Sequence, residues 1–185
     1  IFIGVVGDIS PERLSRVLDE IFGTLPKATD ARTIPDIQVN FTGETMIIER
    51  PVPQSVVVFG HRGIAREDPD WYAATLLFEV LAGGFGSRLT EEIREKRGLT
   101  YGISAYPLPL DHSALIVGGV STVNERVVET IELLKQIWGK FGAEGPTSQE
   151  VRDAKDYVNG SYNLRFSNSG AIAGVLAAIQ RQNLG

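Results

Sequence analysis

Residues Leu81–Tyr106 read LAGGFGSRLTEEIREKRGLTYGISAY, and the order of residue types in this stretch decides the architecture around it. Gly83-Gly84-Phe85-Gly86 stops one helix. Ser87 is placed to cap a second, short and charged helix that runs to Arg97 and ends at Gly98. A strand, Thr100–Leu108, follows. Arg94 precedes Tyr101 by seven residues, close to two helical turns, but Gly98 reverses the chain between them. The end of the helix and the start of the strand can therefore converge. A guanidinium beside a phenol makes a clamp for a peptide carbonyl or a developing oxyanion. The same residues also read as an exposed helix of mixed charge, with Glu91 and Glu92 pairing among Arg94, Glu95, Lys96 and Arg97. The glycine run lacks the Gly-Lys-Ser/Thr ending of a phosphate-binding loop and follows a helix rather than a strand, so it reads as a turn.

Toward the N-terminus, Asp68-Pro69 signals the start of a helix that is apolar almost all round from Trp71 to Ala82, and so is expected to be buried. Two strands are expected before it, Thr45–Glu49 and Ser55–Phe59, separated by Pro51-Val52-Pro53. Residues 24–43 carry Pro26, Pro35 and Gly43 without a sustained period and read as a linker. Ile1–Val6 reads as a buried strand. Ser10-Pro11-Glu12 then opens a helix with an apolar stripe of Leu14, Val17, Leu18 and Ile21, closed at Gly23.

Toward the C-terminus, Ala114–Val120 is a further strand. Asn124 caps a helix with Val127, Ile131, Leu134, Trp138 and Phe141 at helical spacing. Thr147-x-x-Glu150 is a capping box whose helix presents Val151, Ala154, Val158 and Tyr162. A last helix covers about Ala171 to Gln180. Strands in pairs and helices in pairs give an α+β fold, an antiparallel sheet with helices packed on one face.

Composition bounds the function. The chain has 185 residues, 43% hydrophobic and 22% charged, enough for one core and too apolar for disorder. A net charge of −5 without a basic run points away from nucleic acid. There is no cysteine, which removes disulfides, a thiol nucleophile and thiolate-bound zinc. No stretch reaches the roughly 18 apolar residues of a membrane helix. His61 and His112 lie far apart in sequence, and neither has a His or Glu three or four residues on to complete a helical metal pair. No Gly-x-Ser-x-Gly elbow supports a serine triad. Asp153 and Asp156 read as solvated acids on a helix. The chain opens on Ile1 without a methionine and stops just after a helical pattern, so it reads as a piece of a longer protein.

The stretch GGFGSRLTEEIREKRGLTYGISAY resembles the second-domain signature of the pitrilysin or insulinase family of metallopeptidases, also called inverzincins, which includes mitochondrial processing peptidase. The opening IFIGVVGDISPERLSRVLDEIFGTLP looks like the last strand and helix of the preceding domain in that family. DAKDYVNGSYNLRFSNSGAIAGVLAAIQRQNLG is similar to the paired helices that follow the signature. The resemblance implies a preceding-domain segment at 1–23, a linker at 24–43 and the inactive C-terminal domain at 44–185, expected to lack its end. Ile1–Phe22 is then expected to dock in the slot this leaves, in its own molecule or a neighbour's, with Ile1–Val6 paired with the strands between Thr45 and Val120. The family's inverted zinc motif, His-x-x-Glu-His, is not in this chain. What matches is its Arg/Tyr pair, carried here by Arg94 and Tyr101, which implies that these two hold the substrate backbone. No catalytic residue and no metal ligand are assigned within the chain.

The resemblance implies metal-assisted peptide hydrolysis in the parent protein. Zinc, its ligands and the general base would come from a zinc-bearing domain or partner subunit, and the substrate would be a peptide or unfolded polypeptide. The fragment is not expected to be active alone, and a homodimer is compatible with the reading. Periplasm and cytoplasm both stay open, with the resemblance leaning to the bacterial periplasm. Two alternatives remain: a non-catalytic scaffold subunit of the same fold, and an unrelated α+β binding module.

Overall fold

The structure is a computed structural model that describes residues 1–26 and 33–184. Its described chain forms two compact units, residues 34–156 and residues 1–33 with 157–185.

The larger unit is built on a three-stranded antiparallel sheet. Strands β1 (Gln54–Arg62), β2 (Ile103–Leu110) and β3 (Ser113–Val123) stand in the order β1-β3-β2. β-Branched Val56, Val57 and Val58 suit β1 to a pleated surface. Val57 and Ile103 both face Val120, and Phe59 and Ala105 both face Gly118. Antiparallel partners share a face, so these residues line the covered side, while Val56 and Val58 are 71% and 73% exposed on the other. Helices α2 (Trp71–Ala82) and α3 (Val127–Glu144) supply the covering layer. Trp138 of α3 meets the Phe59 ring edge-on at 5.7 Å and Phe78 of α2 at 5.9 Å. The core continues through Leu81, Leu89, Ile93, Leu99, Leu134 and Phe141. Pro107 and Pro109 are tolerated in β2 because that strand is an edge: two residues apart, they leave their missing N–H groups on the same, unpaired side.

Gly118 has a packing role. A Cβ there would run into the Phe59 ring and the Ser104 carbonyl, so only glycine leaves room for that aromatic on the central strand. Beyond β3, a 3₁₀ turn at Asn124–Arg126 leads into α3. Helix α4 (Ser148–Ser161) begins with the expected capping box: Thr147 N–H donates to Glu150 Oε2 at 2.6 Å, and Glu150 N–H donates to Thr147 Oγ1 at 3.2 Å.

The smaller unit holds α1 (Pro11–Phe22), a 3₁₀ turn at Tyr162–Phe166 and α5 (Ser169–Arg181). Ser10 Oγ caps α1 by accepting from Arg13 N–H at 3.3 Å, with Pro11 in the first turn. Asn168 Oδ1 accepts from Ala171 N–H at 2.9 Å, so α5 starts two residues earlier than its apolar pattern suggests.

Four expectations are corrected. Thr45–Glu49 forms no strand. The segment pairs with neither free edge of the sheet, β1 or β2, and Met46 and Ile47 are 85% and 82% exposed. Ile1–Val6 is not a strand either, and the sheet takes none from residues 1–6. Gly4 instead lies so close to the Ala173 carbonyl of α5 that a Cβ there would collide with it. Asp68-Pro69 leads into α2 without capping it: Asp68 Oδ1 accepts from Asp70 N–H at 2.9 Å in a turn, and the helix begins at Trp71. α2 is not buried all round, since Tyr72 is 70% exposed. Part of the expected linker, residues 27–32, lies outside the described residues.

Gly118→Ala is expected to destabilise the protein by about 1–3 kcal/mol through overpacking against Phe59. A urea unfolding midpoint unchanged from the parent would contradict the packing role given to this glycine.

Candidate functional site

The site grows from the turn after α2. Gly83 N–H closes that helix on the Glu79 carbonyl at 3.0 Å. Ser87 then fixes the turn on Gly84: its N–H donates to the Gly84 carbonyl at 3.1 Å, and its hydroxyl lies 2.7 Å from the same oxygen. The short helix that follows is wider than an α-helix. Glu91 N–H bonds four residues back to Ser87, but Lys96 N–H reaches five residues back to Glu91, and Thr90–Glu95 is a π-helix. Gly98 ends it in the left-handed region, φ 57°. Gly98 N–H returns to the Arg94 carbonyl at 2.9 Å and Leu99 N–H to the Ile93 carbonyl at 3.0 Å. This is a Schellman-type closure widened by one residue.

Leu89 and Ile93, four apart, have no exposed surface, and Leu99 is 4% exposed. They clamp the helix and its exit to the core. Arg94, next to Ile93, emerges at the edge of the clamp with its side chain 32% exposed. Its guanidinium carbon stands 4.8 Å from the Phe85 ring centre, and Nε is 3.5 Å from Glu95 Oε1. Tyr101 follows buried Leu99 and Thr100 and is 91% exposed. Its phenol has no hydrogen-bond partner among the described residues. Arg94 and Tyr101 thus flank one turn, and no hydrogen bond joins them.

Threonines hold the backbone beneath Tyr101. Thr122 Oγ1 donates to the Leu99 carbonyl at 2.5 Å, and Thr100 Oγ1 lies 2.6 Å from the Ser121 carbonyl and accepts from Gly102 N–H at 3.1 Å. Thr130 Oγ1 donates to the Arg126 carbonyl at 2.8 Å. The remaining charges of the helix pair locally. Lys96 lies 2.7 Å from Glu92 and 3.1 Å from Glu91, and Arg97 lies 2.8 Å from Glu92. Hydrogen bonds from Lys96 and then Arg97 hold the Glu92 carboxyl below its ordinary range. Glu91 and Glu92 therefore sit in ion pairs of the kind the mixed-charge reading expects.

Arg88 is the residue that sequence reasoning missed. Its Nε and Nη2 bind Glu150 Oε1 and Oε2 at 2.5 and 2.7 Å, Nη2 also reaches the Gly145 carbonyl at 3.1 Å, and the guanidinium covers the Phe141 ring at 4.8 Å. The fork ties the start of the candidate-site helix to the α3–α4 turn, 62 residues on. The capping box oriented Glu150, but nothing local in the sequence names its second partner.

The histidines stay apart from this chemistry. His61 Nδ1 lies 2.6 Å from the Arg62 carbonyl at the end of β1, and His112 Nδ1 lies 3.2 Å from Asp36 Oδ1. Asp153 accepts from Gln149 Nε2 at 2.7 Å on α4. Among the described residues no three His, Asp or Glu side chains converge as a metal set, so these residues do not fit a zinc ion. No described helix is long and apolar enough to cross a membrane.

Glu150 carries a pH signature. The Arg88 hydrogen bonds, helped by those from Thr147, pull its carboxyl from 4.5 down to about 2. A depressed carboxylate contributes stability that is complete above its unfolded value and fades as pH falls through its folded value. The contribution should therefore disappear between about pH 4.5 and about pH 2. Glu150→Gln should cost about 1 kcal/mol at pH 7, given the partial solvent screening of the pair. It should also flatten the acid limb of a stability–pH profile from chemical denaturation. A variant with the parent's acid limb would show that the pair does not supply it.

Comparison with known proteins places this geometry. Residues 1–158 match the model of the peptidase M16 inactive domain. A solved peptidase M16 inactive domain from Pseudomonas fluorescens is 31% identical with a TM-score of 0.78, over 97% of this chain and 43% of that one. A Helicobacter pylori protease structure, at 19% identity, shares the fold with a TM-score of 0.75, over 96% of this chain and 44% of that one. Among curated relatives, an uncharacterized zinc protease of Streptomyces coelicolor is 29% identical over 72% of this chain and 29% of its own length. A non-peptidase homolog, YmxG, of Helicobacter pylori is 28% identical over 86% of this chain and 37% of its own. The chain thus spans well under half the length of these relatives. With the α+β sheet, the glycine turn and the Gly98 turn between Arg94 and Tyr101 all in the matched region, the chain belongs to the peptidase M16 family, as its inactive, non-zinc domain.

Proposed function

We propose that this domain holds the peptide backbone for a zinc-dependent peptidase of the M16 family, with Arg94 and Tyr101 as the holding groups. The observation that carries the reading is the state of these two side chains. Both flank the Gly98 turn, on a frame fixed by Leu89, Ile93 and Leu99. Arg94 makes no hydrogen bond through its guanidinium among the described residues, and its one ion pair is long, 3.5 Å. Tyr101 spends its hydroxyl on nothing among the described residues and is 91% exposed. A cationic fork and a phenol left with open donors suit a peptide carbonyl or the oxyanion that forms from it. Zinc, its ligands and the general base belong to a zinc-bearing domain or partner subunit in this reading.

A second reading is a non-catalytic scaffold of the same fold, favoured by the H. pylori relative named a non-peptidase homolog. The two part on one experiment. In the full-length protein, or the assembled pair of subunits, Arg94→Ala is expected to lower kcat/KM for peptide cleavage roughly 10- to 100-fold and Tyr101→Phe roughly 10-fold, the scale of a lost hydrogen bond to a charged centre. Unchanged turnover in both variants would remove the holding role. A parent assembly that neither binds zinc nor cleaves peptides would favour the scaffold.

A further inference from the structure

Phe85 is spent in an unusual place. It projects from a glycine turn with 77% of its surface exposed, so it contributes little to the core. Yet its ring carries the Arg94 guanidinium at 4.8 Å. The turn that presents it is fixed by Ser87, whose N–H and hydroxyl both engage the Gly84 carbonyl.

Two other arginines show what this arrangement does. Arg88 also lies over an aromatic ring, Phe141 at 4.8 Å, but its Nε and Nη2 donors are spent on Glu150 and Gly145. Arg97 spends donors on the Glu92 carbonyl and carboxylate. Arg94 is held by a ring face instead, and a ring face attracts the cation without using a donor. Its remaining restraint, Glu95 at 3.5 Å, is long and half in solvent. The residue is thereby localised while its hydrogen-bonding edge stays unspent.

We infer that Phe85 is a positioning residue for Arg94: its ring holds the guanidinium in place with its donors open to a peptide carbonyl. This rests on the substrate-holding role given to Arg94 above. Phe85 acts through Arg94, and an aromatic is required because an aliphatic side chain of similar size has no quadrupole to attract the cation.

The test is a double-mutant cycle in the full-length, zinc-bearing protein or subunit pair, read as kcat/KM for peptide cleavage, with thermal melts to confirm folding. Phe85→Leu is expected to lower kcat/KM roughly 2- to 5-fold, the scale of a cation–π contact at an exposed site. Phe85→Trp should restore it, and Phe85→Leu should add no further loss on an Arg94→Ala background. A Phe85→Leu loss that persists in full without Arg94, or a Phe85→Leu variant as active as the parent while Arg94→Ala is impaired, overturns the inference. If Arg94→Ala itself leaves turnover unchanged, the substrate-holding role fails instead. The Phe85–Arg94 contact is then read separately, from the ring-current shift of the Arg94 Nε–H resonance. Loss of that shift in Phe85→Leu and its retention in Phe85→Trp supports the positioning role, and no such shift in the parent overturns it.

Discussion

Two fully buried side chains, Leu89 and Ile93, fix almost everything that follows in this domain. Each removes enough apolar surface from water to contribute about 1.5–3 kcal/mol. Because they are four residues apart on a short helix, their burial leaves the helix no freedom to rotate. The residue after Ile93 must then emerge at the border between core and solvent, and that residue is Arg94. Leu99, buried on the far side of the Gly98 turn, does the same for the strand entry and so delivers Tyr101 to the surface two residues later. The placement of both polar groups is thus a by-product of three apolar anchors. A local stretch of π-helix adds one residue to the turn, which changes the direction in which Arg94 leaves the backbone. Such widened turns recur at functional sites in helices for this reason.

The starts of α1 and α4 were legible because their signals are local, whereas Asp68 and Asn124 cap no helix. Ser10 with Pro11, and Thr147 with Glu150, place a side-chain oxygen within three residues of an orphan N–H, and the chain need only look at itself. β1 and β3 were legible from β-branched and apolar composition. What failed was what depends on partners distant in sequence. Thr45–Glu49 has the composition of a strand, but composition makes no strand without a paired neighbour, and this segment pairs with neither free edge of the sheet. The π-helix was invisible for a different reason. A five-residue and a four-residue hydrogen bond draw on the same residue types, and only the widened return to Ile93 and Arg94 distinguishes them.

The candidate site was legible only in part, and the split is instructive. Residue types and spacing allowed Arg94 and Tyr101 to converge on one turn, but they allowed an ordinary charged helix equally well. The ion pairs that reading expected are real at Glu91, Glu92, Lys96 and Arg97. Arg94 stands out only when its partners are compared with those of its neighbours. Arg88 was not legible as the anchor of the site, because its carboxylate partner is 62 residues away. Phe85 was read as part of a turn, since exposure and the contact with Arg94 are properties of the folded surface.

The electrostatics distinguish the two arginines in the way the proposed holding role requires. A protein that needed only stability here could have closed Arg94 on a carboxylate, as it does with Arg88, where a bidentate fork pulls Glu150 down to about 2. The fork at Arg88 commits Nε and Nη2 to Glu150 and Gly145, so it ties elements together. At Arg94 the opposing acid is at 3.5 Å and partly solvated, a pairing worth about 0–1 kcal/mol. A peptide carbonyl that brings its own desolvated environment can compete with so weak a partner. Tyr101 offers no competition to overcome. Under the proposed function, the difference between the two arginines, one tied by a bidentate fork and one without a hydrogen bond among the described residues, separates the part of the helix that holds the fold from the part that would meet a peptide.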